Sequence, residues 1–266
     1  MHSLLVSTLV MAATWGAWRW YIERVSTSPE EAAALALTVG FLAVLGLARK
    51  SGPAPPRSMP LVPVALLLAA YAASYAILPP IVRAAFALAA TLFSFHVALF
   101  GERPPVAFWG LVPLALPVLP SLQFTLGYPM RVASASLTVV LLQAHGLVIA
   151  RQGTFLAWRD EMVQFDAPCS GVNMLWASLM LTLMGCMLFR LRALKVLVAV
   201  ALSVVLAIAC NVLRVSSLFY IEAGLVPQTP AWWHEGIGIA AFTLSTMVTL
   251  WFLSRLRDAE GLACSN

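Results

Sequence analysis

Three side chains carry most of the chemical potential of this sequence: Cys169, Arg214 and His234. A cysteine thiolate attacks a carbonyl, a histidine carries protons to and from the reacting groups, and an arginine steadies the negative charge that develops on oxygen or sulfur. Cys169 stands in Ala167-Pro168-Cys169-Ser170-Gly171-Val172-Asn173, immediately before a long apolar run. Free N–H groups and the helix dipole at such a helix start favour a thiolate. Gly171 permits close approach of a substrate backbone. Arg214, in Asn211-Val212-Leu213-Arg214, is the one charged residue between Lys195 and Glu222. An arginine inside an apolar run costs several kcal/mol, at about 2.5–3.5 on insertion scales, and marks a functional position by default. Asn211, Arg214 and Ser217 are read as sharing one helical face. His234 opens the last apolar run in Trp232-Trp233-His234-Glu235-Gly236-Ile237-Gly238, whose small residues permit close helix packing. Each residue also has a bland reading. A cysteine at a helix start can be inert, an arginine can snorkel to head groups, and a histidine beside an aromatic belt can be structural. His96 and His145 lack a comparable neighbourhood, and Cys186 and Cys210 read as small buried hydrophobes.

The elements that position these groups follow from composition. The chain has 266 residues, of which 61% are hydrophobic and 10% charged, with a net charge of +5. Ordinary soluble domains carry about 25% charged residues, so a cytosolic enzyme, a disordered chain and a disulfide-stapled module are excluded. The apolar runs are continuous, which separates helical spans from the period-two pattern of a membrane barrel. The fold class expected is an all-α polytopic membrane protein with about eight transmembrane helices, at roughly 4–22, 31–48, 60–78, 81–100, 105–120, 172–189, 196–220 and 234–254. Met1-His2-Ser3 lacks the basic start of a signal peptide, so the first run reads as a retained span. Pro79-Pro80 and Pro104-Pro105 mark tight connections, and Pro113 and Pro117 kink or shorten the fifth span. Two domains are expected: 1–120, with about five spans, and 121–266, a catalytic core with three. The stretch 121–171 reads as the one long segment that is not a span. In it, Arg131 to His145 is an interfacial or short membrane helix, and the rest a small extracytoplasmic β-meander ahead of the cysteine.

Basic residues orient the spans. Arg49, Lys50 and Arg57, then Arg190, Arg192 and Lys195, then Arg255 and Arg257 fall on one side if both termini are cytoplasmic, as the positive-inside rule asks. Cys169, Arg214 and His234 then lie together on the other side. Eighteen residues from Val196 raise Arg214 by about 27 Å, to the outer interface. Convergence of three such residues at one depth points to thiol acyl transfer. The basic residues lie in short loops with no interleaved aromatics, so no nucleic acid is implied, and the cysteine and histidine spacings fit no metal.

The Ala167-Pro168-Cys169-Ser170-Gly171, Asn211-Val212-Leu213-Arg214 and His234 elements resemble the exosortase/archaeosortase family. The Gly127-Tyr128-Pro129-Met130-Arg131 segment is similar to that family too, and the resemblance covers about 120–255. It implies a membrane cysteine transpeptidase or endopeptidase. Its partners would be membrane proteins ending in a sorting signal: a short motif such as Pro-Glu-Pro, a hydrophobic helix and a basic tail. Cys169, Arg214 and His234 match the family's catalytic positions. Gly171, Asn173, Asn211 and Arg131 are assigned supporting roles. No cofactor is expected. The acceptor is left open between water and a lipid or glycan nucleophile, and the site is placed at the outer face of the cytoplasmic membrane. The rival class is a non-enzymatic transporter or an assembly factor for envelope polysaccharide. A transporter places its polar groups near the bilayer midplane, whereas these gather at one edge. A rhomboid-like serine protease fits less well, because Ser170-Gly171 lacks the preceding Gly-x of that motif.

Overall fold

The computed structural model describes residues 2–27, 29–49, 60–159, 161–164, 170–226, 230 and 232–263. They form two compact units, 1–118 and 119–266, and the chain is mostly helical.

The first unit is built around α5 (Pro80–Phe100). Pro80 sits at the first helical position, where a missing N–H costs nothing. Gly101 closes the far end in a left-handed conformation, φ 65°, and its N–H bonds the Val97 carbonyl at 2.9 Å. Around α5 lie α1 (His2–Ala13), α2 (Trp15–Val25), α3 (Pro29–Arg49) and α4 (Leu61–Ser74). Val10 and Val64 pack on Ala90, Phe93 and Val97, and Ala17 and Tyr71 on Ala87. The first apolar run is two helices rather than one continuous span, because the chain turns at Thr14, whose hydroxyl bonds the Val10 carbonyl at 2.9 Å. The expected span over 105–120 is also cut short. α6 (Val106–Leu114) has nine residues, and Pro117 lies in the break that follows it.

The second unit contains α7 (Leu119–Ala144), β1 (Ile149–Gln152), β2 (Phe155–Trp158), β3 (Glu161–Gln164), α8 (Val172–Leu188), α9 (Ala193–Glu222) and α10 (Trp233–Ala263). The largest departure from the sequence reading is here. A helix was expected only from Arg131, yet α7 begins twelve residues earlier and continues through Gly127 and Pro129. It is 26 residues long and apolar enough to cross a membrane. Segment 121–171 therefore does contain a helix of spanning length. Among the described residues four helices meet that standard, over Pro80–Phe100, Leu119–Ala144, Ala193–Glu222 and Trp233–Arg257. The shorter apolar helices include α4 and α8, of 14 and 17 residues, against the roughly 20 that a span needs.

The three strands form one antiparallel sheet in the order β1-β2-β3. Ile149 pairs with Trp158, and Leu156 with both Arg151 and Val163. Period-two alternation puts Leu156 and Trp158 on one face. That face packs with Ile149 on Ala135 and Leu142 of α7 and on Val215 and Phe219 of α9. Complete burial of a leucine such as Leu156 contributes about 1.5–3 kcal/mol.

Contacts fix the levels of the helices. Asn211 bonds Ser134, and Tyr220 bonds His145 through its hydroxyl at 2.9 Å. Nine residues on α9 match eleven along 134–145, so the two run side by side in the same direction. α8 and α9 are joined by a short connection. The Lys195 ammonium donates to the Leu256 carbonyl at 2.5 Å, and the Arg257 guanidinium lies over the Phe189 ring. The basic residues of 190–195 and 255–257 thus gather at one end of this unit.

Candidate active site

The opposite end of α8 begins at Gly171, in left-handed geometry with φ 78° and ψ 3°. A methyl group there would lie 2.7 Å from Asn211 Cγ and 2.8 Å from its Nδ2. Glycine is required twice over, by the backbone angle and by the space. Asn211 is fully buried and donates through Nδ2 to Ser134 Oγ at 3.0 Å. Counting from Ala193, it lies about 27 Å up α9, with about 16 Å of helix beyond it. The N-terminus of α8 therefore lies toward the end of this unit that carries the sheet, away from its basic end.

Ser170, 1% exposed, is the described residue next to Cys169 in sequence. Its hydroxyl accepts the Val172 N–H at 3.3 Å and donates to Gln123 Oε1 at 3.3 Å. Gln123 Nε2 in turn donates to Asn173 Oδ1 at 2.8 Å. Cys169 itself, with 165–168, lies outside the described residues.

Arg214 follows Asn211 by three residues, close to one helical turn, and is half-buried. Its side chain runs against α10 at Gly238: a Cβ built on Gly238 would lie 3.2 Å from Arg214 Nε and 3.8 Å from Cζ. His234 is one turn before Gly238, on the same face of α10, and is exposed. Arg214 thus meets α10 one helical turn from His234. Ser217 does not join them. It is exposed, and its hydroxyl bonds back to the Leu213 carbonyl at 2.9 Å. Six residues from Asn211 is about 120° round the helix, so these two do not share a narrow face.

Arg131 lies on α7 with its Nε donating to the Gly127 carbonyl at 3.3 Å. Positions 123, 127, 131, 134 and 138 form one stripe on α7 at spacings of four and three. It carries Gln123, Gly127, Arg131, Ser134 and Thr138, with Gly127, Ser134 and Thr138 buried. α7 is therefore a fourth wall of the site, and Gln123 and Ser134 are contacts that the sequence reading missed. No site contact was expected at either from the sequence, since the helix was expected only from Arg131 and neither residue belongs to one of the motifs. Among the described residues no three of His, Cys, Asp and Glu gather as metal ligands.

The model of the transmembrane exosortase family matches residues 26–251 of the chain. The protein belongs to the exosortase family. No curated protein and no solved structure matches it. The match runs from just after α2 into α10 and takes in every candidate residue. An exosortase is a membrane protein, in keeping with the long apolar helices of both units. For this exosortase the described contacts join Gln123 to Ser170 and Asn173, Gly171 and Ser134 to Asn211, and Gly238 to Arg214, on α7, α8, α9 and α10 and the turn before α8.

Proposed function

We propose that this exosortase-family protein is a cysteine protease or transpeptidase of the cytoplasmic membrane. It acts at the outer face on exported membrane proteins that end in a sorting signal. The observation that carries the reading is the seating of the Ser170-Gly171 turn on Asn211. It supports the reading because Gly171 is two residues from Cys169 in sequence, Asn211 is three from Arg214, and Arg214 lies against Gly238, one turn from His234.

In this reading the Cys169 thiolate forms a bond to the scissile carbonyl carbon, and the carbonyl oxygen takes the negative charge. The Arg214 guanidinium stabilises that oxyanion. The C–N bond breaks as His234 delivers a proton to the leaving amine, which leaves a thioester on Cys169. His234 then takes a proton from the acceptor as it attacks. Water gives proteolysis, and an amine or hydroxyl of an envelope lipid or glycan gives anchoring. The substrate's hydrophobic helix and basic tail match the unit itself, whose basic residues lie at one end, about 27 Å from Asn211. Catalysis is assigned to 119–266, with 1–118 as a second membrane unit.

The test is expression of Cys169→Ala with a protein carrying a sorting signal, read as the size of that protein on a gel. Loss of the shortened form is expected. Unimpaired shortening would sink the reading.

A further inference from the structure

We propose that Gln123 is a positioning residue that clamps the Ser170-Gly171 turn, next in sequence to Cys169, to α7. The inference rests on the reading of Cys169 as that nucleophile. The Gln123 side chain reaches both flanks of Gly171. Its carbonyl accepts from Ser170 at 3.3 Å and its amide donates to Asn173 at 2.8 Å. Ser170 also accepts from Val172 N–H, so the bonds form a continuous chain from the first turn of α8 through Ser170 to Gln123 and back to Asn173. Gly127 makes room for the carbonyl: a Cβ there would lie 3.3 Å from Gln123 Oε1.

The turn needs an outside hold. Gly171 is left-handed, and Ser170 stands ahead of the first turn of α8. The Asn211 contact presses on one side of Gly171, and the Gln123 amide ties down the residues before and after it. The clamp thereby sets where the chain leaves α8 toward Cys169. Gln123 touches neither substrate nor reacting atoms in this proposal. It acts through Ser170.

The test uses the full chain in membranes with Cys186, Cys210 and Cys264 changed to alanine. Two readouts are taken at matched protein level. One is kcat and KM on a sorting-signal substrate. The other is the rate of Cys169 alkylation by iodoacetamide as a function of pH. Gln123→Met keeps the volume and removes both bonds. Gln123→Glu keeps an acceptor for Ser170. We expect Gln123→Met to lower kcat about 10- to 100-fold, the scale of a misplaced reacting group. KM should change little, and the alkylation profile of Cys169 should differ from that of the wild type. Gln123→Glu should recover part of both. Wild-type kcat in Gln123→Met would overturn the clamp, and so would a lowered kcat with an unmoved alkylation profile. The two readings fail separately. If Cys169→Ala still processes substrate, the nucleophile assignment is wrong, whereas the alkylation profile of Gln123→Met still reports whether the turn is held.

Discussion

Asn211 closes on Gly171 so tightly that a methyl group at position 171 would sit 2.7 Å from its Cγ. The contact joins α8 to α9 at the depth of the candidate site. The Asn211 amide bonds Ser134 on α7 while its carbon skeleton fills the space above the glycine.

Gly171→Ala should therefore reduce processing by about 10²-fold, the penalty of a reacting group displaced by around an ångström. Gly153→Ala is the control. Gly153 has a similar left-handed backbone, φ 64°, but nothing within 4 Å of the added methyl. It should carry only the strain of a left-handed residue, about 1–2 kcal/mol, and process normally. Equal rates for the two variants would mean that the Asn211 contact has no bearing on activity.

The cysteines offer a second contrast. Cys186 and Cys210 are buried, 1% and 4% exposed, within α8 and α9. Cys186→Ala and Cys210→Ala should leave the shortened product in place, whereas Cys169→Ala should remove it. Product from Cys169→Ala at the wild-type level would exclude a thioester on that residue.

Much of the second unit was legible because α9 is a nearly unbroken Val/Leu/Ala run in which Asn211 and Arg214 stand out. Burial in a membrane helix has to explain each polar group. α7 was hard to read for the opposite reason. Gly127 and Pro129 lower helix propensity locally, yet packing on α8 and α9 carries the helix through both. The sequence showed Gly171 and Asn211 as separate candidates, but only the fold shows them in contact. Gln123 was invisible as a site residue because its partners, Ser170 and Asn173, lie 47 and 50 positions away. The first unit was least legible: Thr14 and Pro117 interrupt apolar runs that hydropathy alone joins.

Topology gives a third prediction, and the structure supplies good reporter positions. Val148, just before β1, is 90% exposed, and Leu194, at the start of α9, is 73% exposed. In a background whose native cysteines are alanine, Val148→Cys should react with a membrane-impermeant maleimide in intact cells. Leu194→Cys should react only after permeabilisation. Labelling of Leu194→Cys from outside would place the basic end of the unit in the wrong compartment. The site would then face the cytoplasm, where a sorting enzyme has no exported substrate.

Arg214 decides between a group that acts in the transition state and one that merely anchors a helix. Arg214→Lys keeps the charge and loses the planar fork of donors. Removing one such donor from an oxyanion costs about 10²–10³ in rate, so a loss of that size is expected at matched protein level. A snorkelling arginine would tolerate lysine, since both side chains reach an interface equally well. Gly238 gives an independent handle on the same group. A methyl there would lie 3.2 Å from Arg214 Nε, so the guanidinium must shift by a few tenths of an ångström. Gly236→Ala meets only the Trp232 ring at 3.4 Å, an ordinary contact. The ranking expected is Gly236→Ala near wild type, Gly238→Ala slower, Gly238→Val slower still, and Arg214→Lys slowest, measured as the initial rate of substrate shortening. If Gly238→Val processed at the wild-type rate, the position of the guanidinium against α10 would be irrelevant to the chemistry. Arg214 would then be an anchor, whatever the fate of Cys169.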